Sequence, residues 1–245
     1  MVRFIVLMGF ILLGATMFPG PVRAESERIL MVVTSADTIR PGKPTGLWLE
    51  EFAVPYLKFK GAGYDVTVAS IKGGAAPVDP RSQDDAAKVK QWEDAVQVLQ
   101  GTIPLDRVKS DPFAAIFLPG GHGTMFDLPG NRHLKELLQQ FSAGDKVIAA
   151  VCHGPAGLVG ATGKDGKPLV AGKSMTAFTD DEERAVALDK EMPFLLETKL
   201  REAGAKFVVG GKWASHVEVD GKLVTGQNPA SSASTAEAVI HLLSR

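Results

Sequence analysis

A single cysteine, Cys152, lies where a nucleophile would be expected. It follows the apolar run Val147-Ile148-Ala149-Ala150-Val151 and precedes His153-Gly154-Pro155. Small residues two positions before and after it, Ala150 and Gly154, permit the tight strand-to-helix turn that lifts a nucleophile above a sheet. Pro155 suits the first turn of a helix. The positive end of that helix is expected to favour the thiolate and to leave Cys152 exposed and reactive. Free cysteines commonly behave as small buried hydrophobes, but that gives no reason for a thiol between an apolar strand and a His-Gly-Pro turn.

Leu118-Pro119-Gly120-Gly121-His122-Gly123-Thr124 is a glycine-rich turn after a second apolar run. Its backbone N–H groups can turn inward as an anion-binding nest, so Gly120, Gly121 and the N–H of His153 form a candidate oxyanion site. Two acidic pairs supply candidate proton carriers: Glu50 with Glu51, and Glu182 with Glu183. Helical register does not choose between Glu50 and Glu51, because each has apolar neighbours four residues away. The five histidines, His122, His133, His153, His216 and His241, show no zinc-like spacing, so no metal is expected. His122 reads as a loop residue near the cleft, and His133 and His241 as helix-face residues.

The elements that must position these groups alternate in type. Arg28 to Thr34, Tyr64 to Ala69, Ala114 to Leu118 and Val147 to Val151 read as strands, the apolar ones buried on both faces. Helical spacing covers Thr45 to Gly61, where Pro55 should bend or shorten the helix, and also Ala86 to Leu99, Arg132 to Phe141 and Ser232 to Leu243. Gly73 to Asp84 reads as a long surface loop able to cover a site. Ser215 to Val219, Asp220-Gly221 and Leu223 to Thr225 give a hairpin. Alternating strands and helices predict an α/β, doubly wound, mostly parallel sheet with helices on both faces.

The 245 residues suit one sizeable domain, and 45% hydrophobic with 22% charged residues is an ordinary globular balance. With 27 basic and 28 acidic residues and no basic stripe, nucleic acid is not an expected partner. Residues 1–24 read as a cleavable signal peptide: Arg3, the apolar run Phe4 to Phe18, then Val22-Arg23-Ala24 as the cleavage site. That run is shorter than a bilayer span needs, so a periplasmic or secreted domain over 25–245, free of the membrane, is expected. With one cysteine, an intrachain disulfide is impossible.

The elbow Ala150-Val151-Cys152-His153-Gly154-Pro155, the turn Leu118 to Gly123, and the segments Thr45 to Glu51, Phe178 to Glu183 and Thr225 to Ser232 together resemble the ThiJ/PfpI superfamily. They are most similar to its glyoxalase III and heat-shock-chaperone branch, described as class I glutamine amidotransferase-like. The resemblance spans nearly the whole chain after the signal segment, and it implies a flavodoxin-like, usually dimeric protein. It also implies a catalytic set in which Cys152 is the nucleophile, His153 the acid/base, Glu183 the carboxylate orienting His153, and Glu51 the carboxylate contacting the thiol.

The implied activity is conversion of methylglyoxal to lactate without metal, glutathione or other cofactor, with a small reactive aldehyde or a glycated protein as substrate. Holdase chaperoning, or redox sensing through oxidation of Cys152, is the non-enzymatic alternative. A different enzymatic reading is an amidotransferase-like hydrolase using Cys152, His216 and Glu218. The hairpin pattern, however, puts His216 and Glu218 on one strand face and explains them without catalysis.

Overall fold

The computed structural model describes residues 1–2 and 27–245. The expected signal peptide therefore lies almost entirely outside the described residues. Among the described residues eleven strands run in chain order: β1 (Arg28–Val33), β2 (Thr38–Arg40), β3 (Lys43–Pro44), β4 (Asp65–Ser70), β5 (Ile103–Pro104), β6 (Phe113–Leu118), β7 (Val147–Val151), β8 (Ser174–Met175), β9 (Lys206–Phe207), β10 (Val217–Asp220) and β11 (Leu223–Gly226). Seven of them form one sheet in the order β10-β11-β7-β6-β1-β4-β5, and only the β10–β11 pairing is antiparallel. This is the flavodoxin-like, doubly wound sheet.

Period-two alternation along β1 divides the core. Leu30 and Val32 point to one face and pack with Leu134, Leu137, Leu138 and Phe141 of α5 (Arg132–Ala143). Ile29, Met31 and Val33 point to the other, against Leu49, Phe52 and Phe59 of α1 (Leu49–Gly61) and Ala236 and Val239 of α8 (Ser232–Leu243). Each such fully buried large side chain contributes about 1.5–3 kcal/mol. With both faces covered, the open edge of chemistry is the carboxyl end of the strands, where the loops after β6 and β7 meet.

Three expectations are corrected. The first helix begins at Leu49 rather than Thr45, because Thr45 to Trp48 is extended: Thr45 N–H donates to Asp37 O, Leu47 N–H to Pro77 O and Trp48 N–H to Gly120 O. It runs through Pro55, which has no N–H to offer the Glu51 carbonyl, without ending. The polar helix divides at Trp92 into α2 (Ala86–Gln91) and α3 (Glu93–Val98), and two further short helices are α4 (Thr124–Asp127) and α7 (Leu196–Glu202). The Gly73 to Asp84 segment is the expected loop, anchored at Asp79: Asp79 N–H donates to Leu47 O, and its fully buried carboxylate accepts from Thr45 Oγ1 at 2.9 Å. Among the described residues no helix is long and apolar enough to cross a membrane.

Candidate active site

Cys152 caps β7 at a φ of 60°, the left-handed region that a residue with a Cβ seldom adopts. Both sides of its peptide are fixed, since its N–H donates to Gly226 O and its carbonyl accepts from Phe178 N–H, each at 2.9 Å. Gly154 is required by closeness: a Cβ there would lie 2.0 Å from the Leu118 carbonyl oxygen. Thr124 Oγ1 then ties the two loops together, donating to Gly121 O and His153 O at 2.8 and 3.0 Å. Gly121 has φ 101°, and a Cβ on it would stand 2.3 Å from Trp48 N. The glycine turn therefore seats directly against the start of α1 and brings Glu51 beneath Cys152.

His153 faces the thiol with Nδ1, 3.2 Å from Cys152 Sγ, and turns Nε2 to Glu183 Oε2 at 2.7 Å. Burial opposes ionisation of Glu183. The charge that His153 gains on protonation and the hydrogen bonds of His122 and His153 outweigh it and hold the carboxyl well below the usual carboxylate range. An ionised Glu183 accepts from the Nε2–H of His153 and leaves Nδ1 facing the thiol as its acceptor. Glu183 Oε1 takes a second imidazole, His122 Nε2, at 3.0 Å. Its sequence neighbour Glu182 does something different, forming the capping box with Thr179 at the start of α6 (Asp180–Ala185). Glu182 Oε1 also accepts from Trp213 N, Gln227 Nε2 and Asn228 Nδ2, at 2.9, 3.1 and 2.8 Å. The Gln227-Asn228 segment thus anchors the helix that aims Glu183.

The expected exposed thiolate is corrected. Cys152 is 3% exposed, and the turn after it, Gly154–Leu158, is a five-residue 3₁₀ turn rather than a helix with a useful dipole. Burial, followed by the charge of Glu51, pushes the thiol well above its ordinary pKa. Burial also pushes Glu51 well up, and the nearby Cys152 thiol and Gly120 backbone offset only part of this. Glu51 is fully buried, and among the described residues neither of its carboxyl oxygens has a hydrogen-bond partner. Two contacting acids in a dry site do not both ionise, so the Cys152–Glu51 pair retains a proton at rest.

These groups open onto a cavity of about 370 Å³ lined by Glu51, Gly121, Cys152 and His153 together with Trp48, Arg81, His122, Phe178, Val186, Trp213 and Pro229. Gly120 and Glu183 are outside the lining, and of the residues singled out around Cys152 it is Glu51, Gly121 and His153 that reach the cavity. His216 and Glu218 do not: they face each other at 3.1 Å, away from the lining. Histidines scattered in sequence are gathered in space, with donor atoms of His122, His153 and Glu183 within 4.8 Å of one another. Those donors are hydrogen-bonded to each other, and the Arg81 guanidinium beside His122 disfavours a cation. Arg81, Trp213 and the part played by His122 are not legible from spacing. The signal available for Arg81 is Asp79 two residues before it, a carboxylate placed to pair with a guanidinium.

Comparison with known proteins places these features in context. A family model described as DJ-1/PfpI family matches residues 46–242. A glutathione-independent glyoxalase of Schizosaccharomyces pombe is 35% identical over 235 residues, covering 89% of this chain and 96% of that protein. The crystal structure of a glyoxalase III from Candida albicans matches with a TM-score of 0.81 at 29% identity, covering 88% of this chain and 97% of that one. Another crystal structure is 58% identical with a TM-score of 0.87, covering 89% and 98%.

Proposed function

Because the chain belongs to the DJ-1/PfpI family, we propose that it is a cysteine-dependent, glutathione-independent glyoxalase that converts methylglyoxal and water to lactate. One observation carries this reading. A single thiol stands between an imidazole acceptor, His153 Nδ1 at 3.2 Å, and the buried carboxyl group of Glu51, whose oxygens have no hydrogen-bond partner among the described residues.

In this reading His153 Nδ1 takes the Cys152 proton as sulfur adds to the aldehyde carbon, so the thiolate forms only at the moment of attack. The backbone N–H groups of Gly121 and His153, both at the cavity wall, receive the oxyanion of the hemithioacetal; Gly120 holds the turn in place. Glu51 lends its proton to that oxyanion and, as a carboxylate, passes the hydrogen of the former aldehyde carbon to the neighbouring carbonyl carbon. It recovers its own proton as the thioester carbonyl forms, while His153 delivers the thiol proton to the oxygen of the second carbon. The first carbon is thereby oxidised and the second reduced, with no external oxidant or reductant. Water cleaves the resulting thioester, releasing lactate and restoring the thiol. Glu183 holds His153 in the required tautomer throughout.

Lactate formation from methylglyoxal, followed without glutathione and in parallel with ammonia release from glutamine, tests the reading. Lactate that disappears in Cys152→Ser supports it, and ammonia without lactate overturns it. The apolar segment from Phe4 to Phe18 supports export with cleavage near Glu25; N-terminal sequencing of the protein from the cell envelope reads the cleavage point. The resemblance supports a homodimer, read by sedimentation.

A further inference from the structure

We infer that the cavity over Cys152 contains an apolar subsite for 2-oxoaldehydes bearing an aryl or bulky aliphatic substituent, with Trp213 as the residue that sets this preference. The inference rests on the glyoxalase reading and specifies its substrate class. A cavity of about 370 Å³ falls in the roughly 300–1,000 Å³ range that accommodates organic ligands far larger than methylglyoxal. The reacting groups Cys152, His153 and Glu51 are only three of its eleven lining residues. The remaining wall is largely apolar, made by Trp48, Phe178, Val186, Trp213 and Pro229, which a three-carbon dicarbonyl could not fill.

The aromatic groups form a continuous shelf leading away from the thiol. The Phe178 ring lies 4.4 Å from that of His153, and the Trp213 ring 5.7 Å from that of Phe178. A planar substituent on the hemithioacetal carbon chain would rest on this shelf, since offset and tilted aromatic contacts are favourable. Trp213 is held in an unfavourable backbone conformation. It is 47% exposed, and its φ is 60°. Its backbone N–H is fixed at 2.9 Å to Glu182 Oε1, on the same helix that aims Glu183. An exposed indole in a strained conformation, tied to the catalytic helix and lining the cavity, has the placement of a substrate contact.

The balance of the reaction is unchanged: an aryl 2-oxoaldehyde and water give the corresponding 2-hydroxy acid. The test measures kcat/KM for phenylglyoxal and methylglyoxal in the full chain, in Trp213→Gly, which tolerates the positive φ, and in Trp213→Phe, which keeps an aromatic ring. The expected result is a phenylglyoxal preference of about tenfold or more in the unaltered protein. The ratio of the two kcat/KM values should fall at least about fivefold in Trp213→Gly and recover in Trp213→Phe. Methylglyoxal turnover without a phenylglyoxal preference, or a ratio that Trp213→Gly leaves unmoved, overturns the subsite while the glyoxalase reading stands. Absence of turnover with either aldehyde overturns both.

Discussion

The Nδ1 of His122 stands 3.1 Å from the Nη2 of Arg81, and a guanidinium only donates. His122 is therefore an acceptor on that side and a donor on the other, through Nε2 to Glu183, which makes it the neutral tautomer. Arg81 is itself clamped by the buried Asp79, with Nε to Oδ1 at 2.9 Å and Nη2 to Oδ2 at 2.6 Å. A line of fixed polarity runs from Asp79 through Arg81, His122, Glu183 and His153 to the thiol. It keeps His122 from competing for the proton that His153 must carry.

The first consequence is acid sensitivity. Burial and the neighbouring His153, with Arg81 acting in the same sense against the pull of Glu183, push His122 down to about 4. The unfolded imidazole titrates near 6.5. Between these values the unfolded chain binds the extra proton, so stability is complete above about pH 6.5 and is lost as the pH falls toward 4. The expected loss from this group is on the order of 2–4 kcal/mol. Urea unfolding at pH 7 and pH 4.5 should show a smaller difference in His122→Asn than in the unaltered protein. Equal differences would contradict the assignment.

Glu51 acts with the opposite sign. Its pKa is raised in the fold by burial, so it costs stability at neutral pH, and that cost is relieved as the pH falls toward the unfolded value. Glu51→Gln removes the ionisable group with little change in shape. Melting should move up by at least about 2 °C at pH 7, given the usual 2–4 °C per kcal/mol for a chain of this size, while methylglyoxal turnover is lost. A variant melting lower than the parent would show that the buried carboxyl is not the liability argued here.

Strain at Cys152 inverts the usual ranking of small residues. Glycine normally destabilises an ordered position relative to alanine, but at φ 60° alanine carries the left-handed penalty. Cys152→Gly should therefore be more stable than Cys152→Ala by about 1 kcal/mol. Both variants lose the thiol, so their difference in chemical denaturation isolates the backbone. Alanine ranking above glycine would mean that the elbow relaxes when the sulfur is removed.

His216 and Glu218 form a half-buried pair of their own at 3.1 Å, outside the lining of the Cys152 cavity. The double substitution of His216→Ala and Glu218→Gln should leave kcat/KM for methylglyoxal within about threefold of the parent, a shift below 0.7 kcal/mol. A loss of two orders of magnitude would restore the amidotransferase-like triad as a candidate.

Patterns within one element were readable in the chain. The run Val147 to Val151 gave its strand to the residue, and Ser232 to Leu243 its helix, because uninterrupted apolar or helical periodicity reports burial directly. The stretch before α1 has helical spacing yet is extended, because its hydrogen bonds go to Pro77 and Gly120, partners remote in sequence. Glu50 and Glu51 were equivalent by register, and Glu182 and Glu183 by type. Packing separated them, setting Glu51 at no exposure beneath the thiol, and turning Glu182 to the Gln227-Asn228 amides and Glu183 to two imidazoles.

By itself the sequence determined the alternating α/β order, the small residues flanking Cys152 and the glycine turn opposite it, since these follow from local sterics and short-range periodicity. The tertiary structure decided the protonation of the site and the shape of its cavity. Whether a thiol, carboxyl or imidazole holds its proton depends on how much water surrounds it and which charges stand nearby. Here those neighbours are Arg81, His122 and Glu183, brought to Cys152 from three separate stretches of chain.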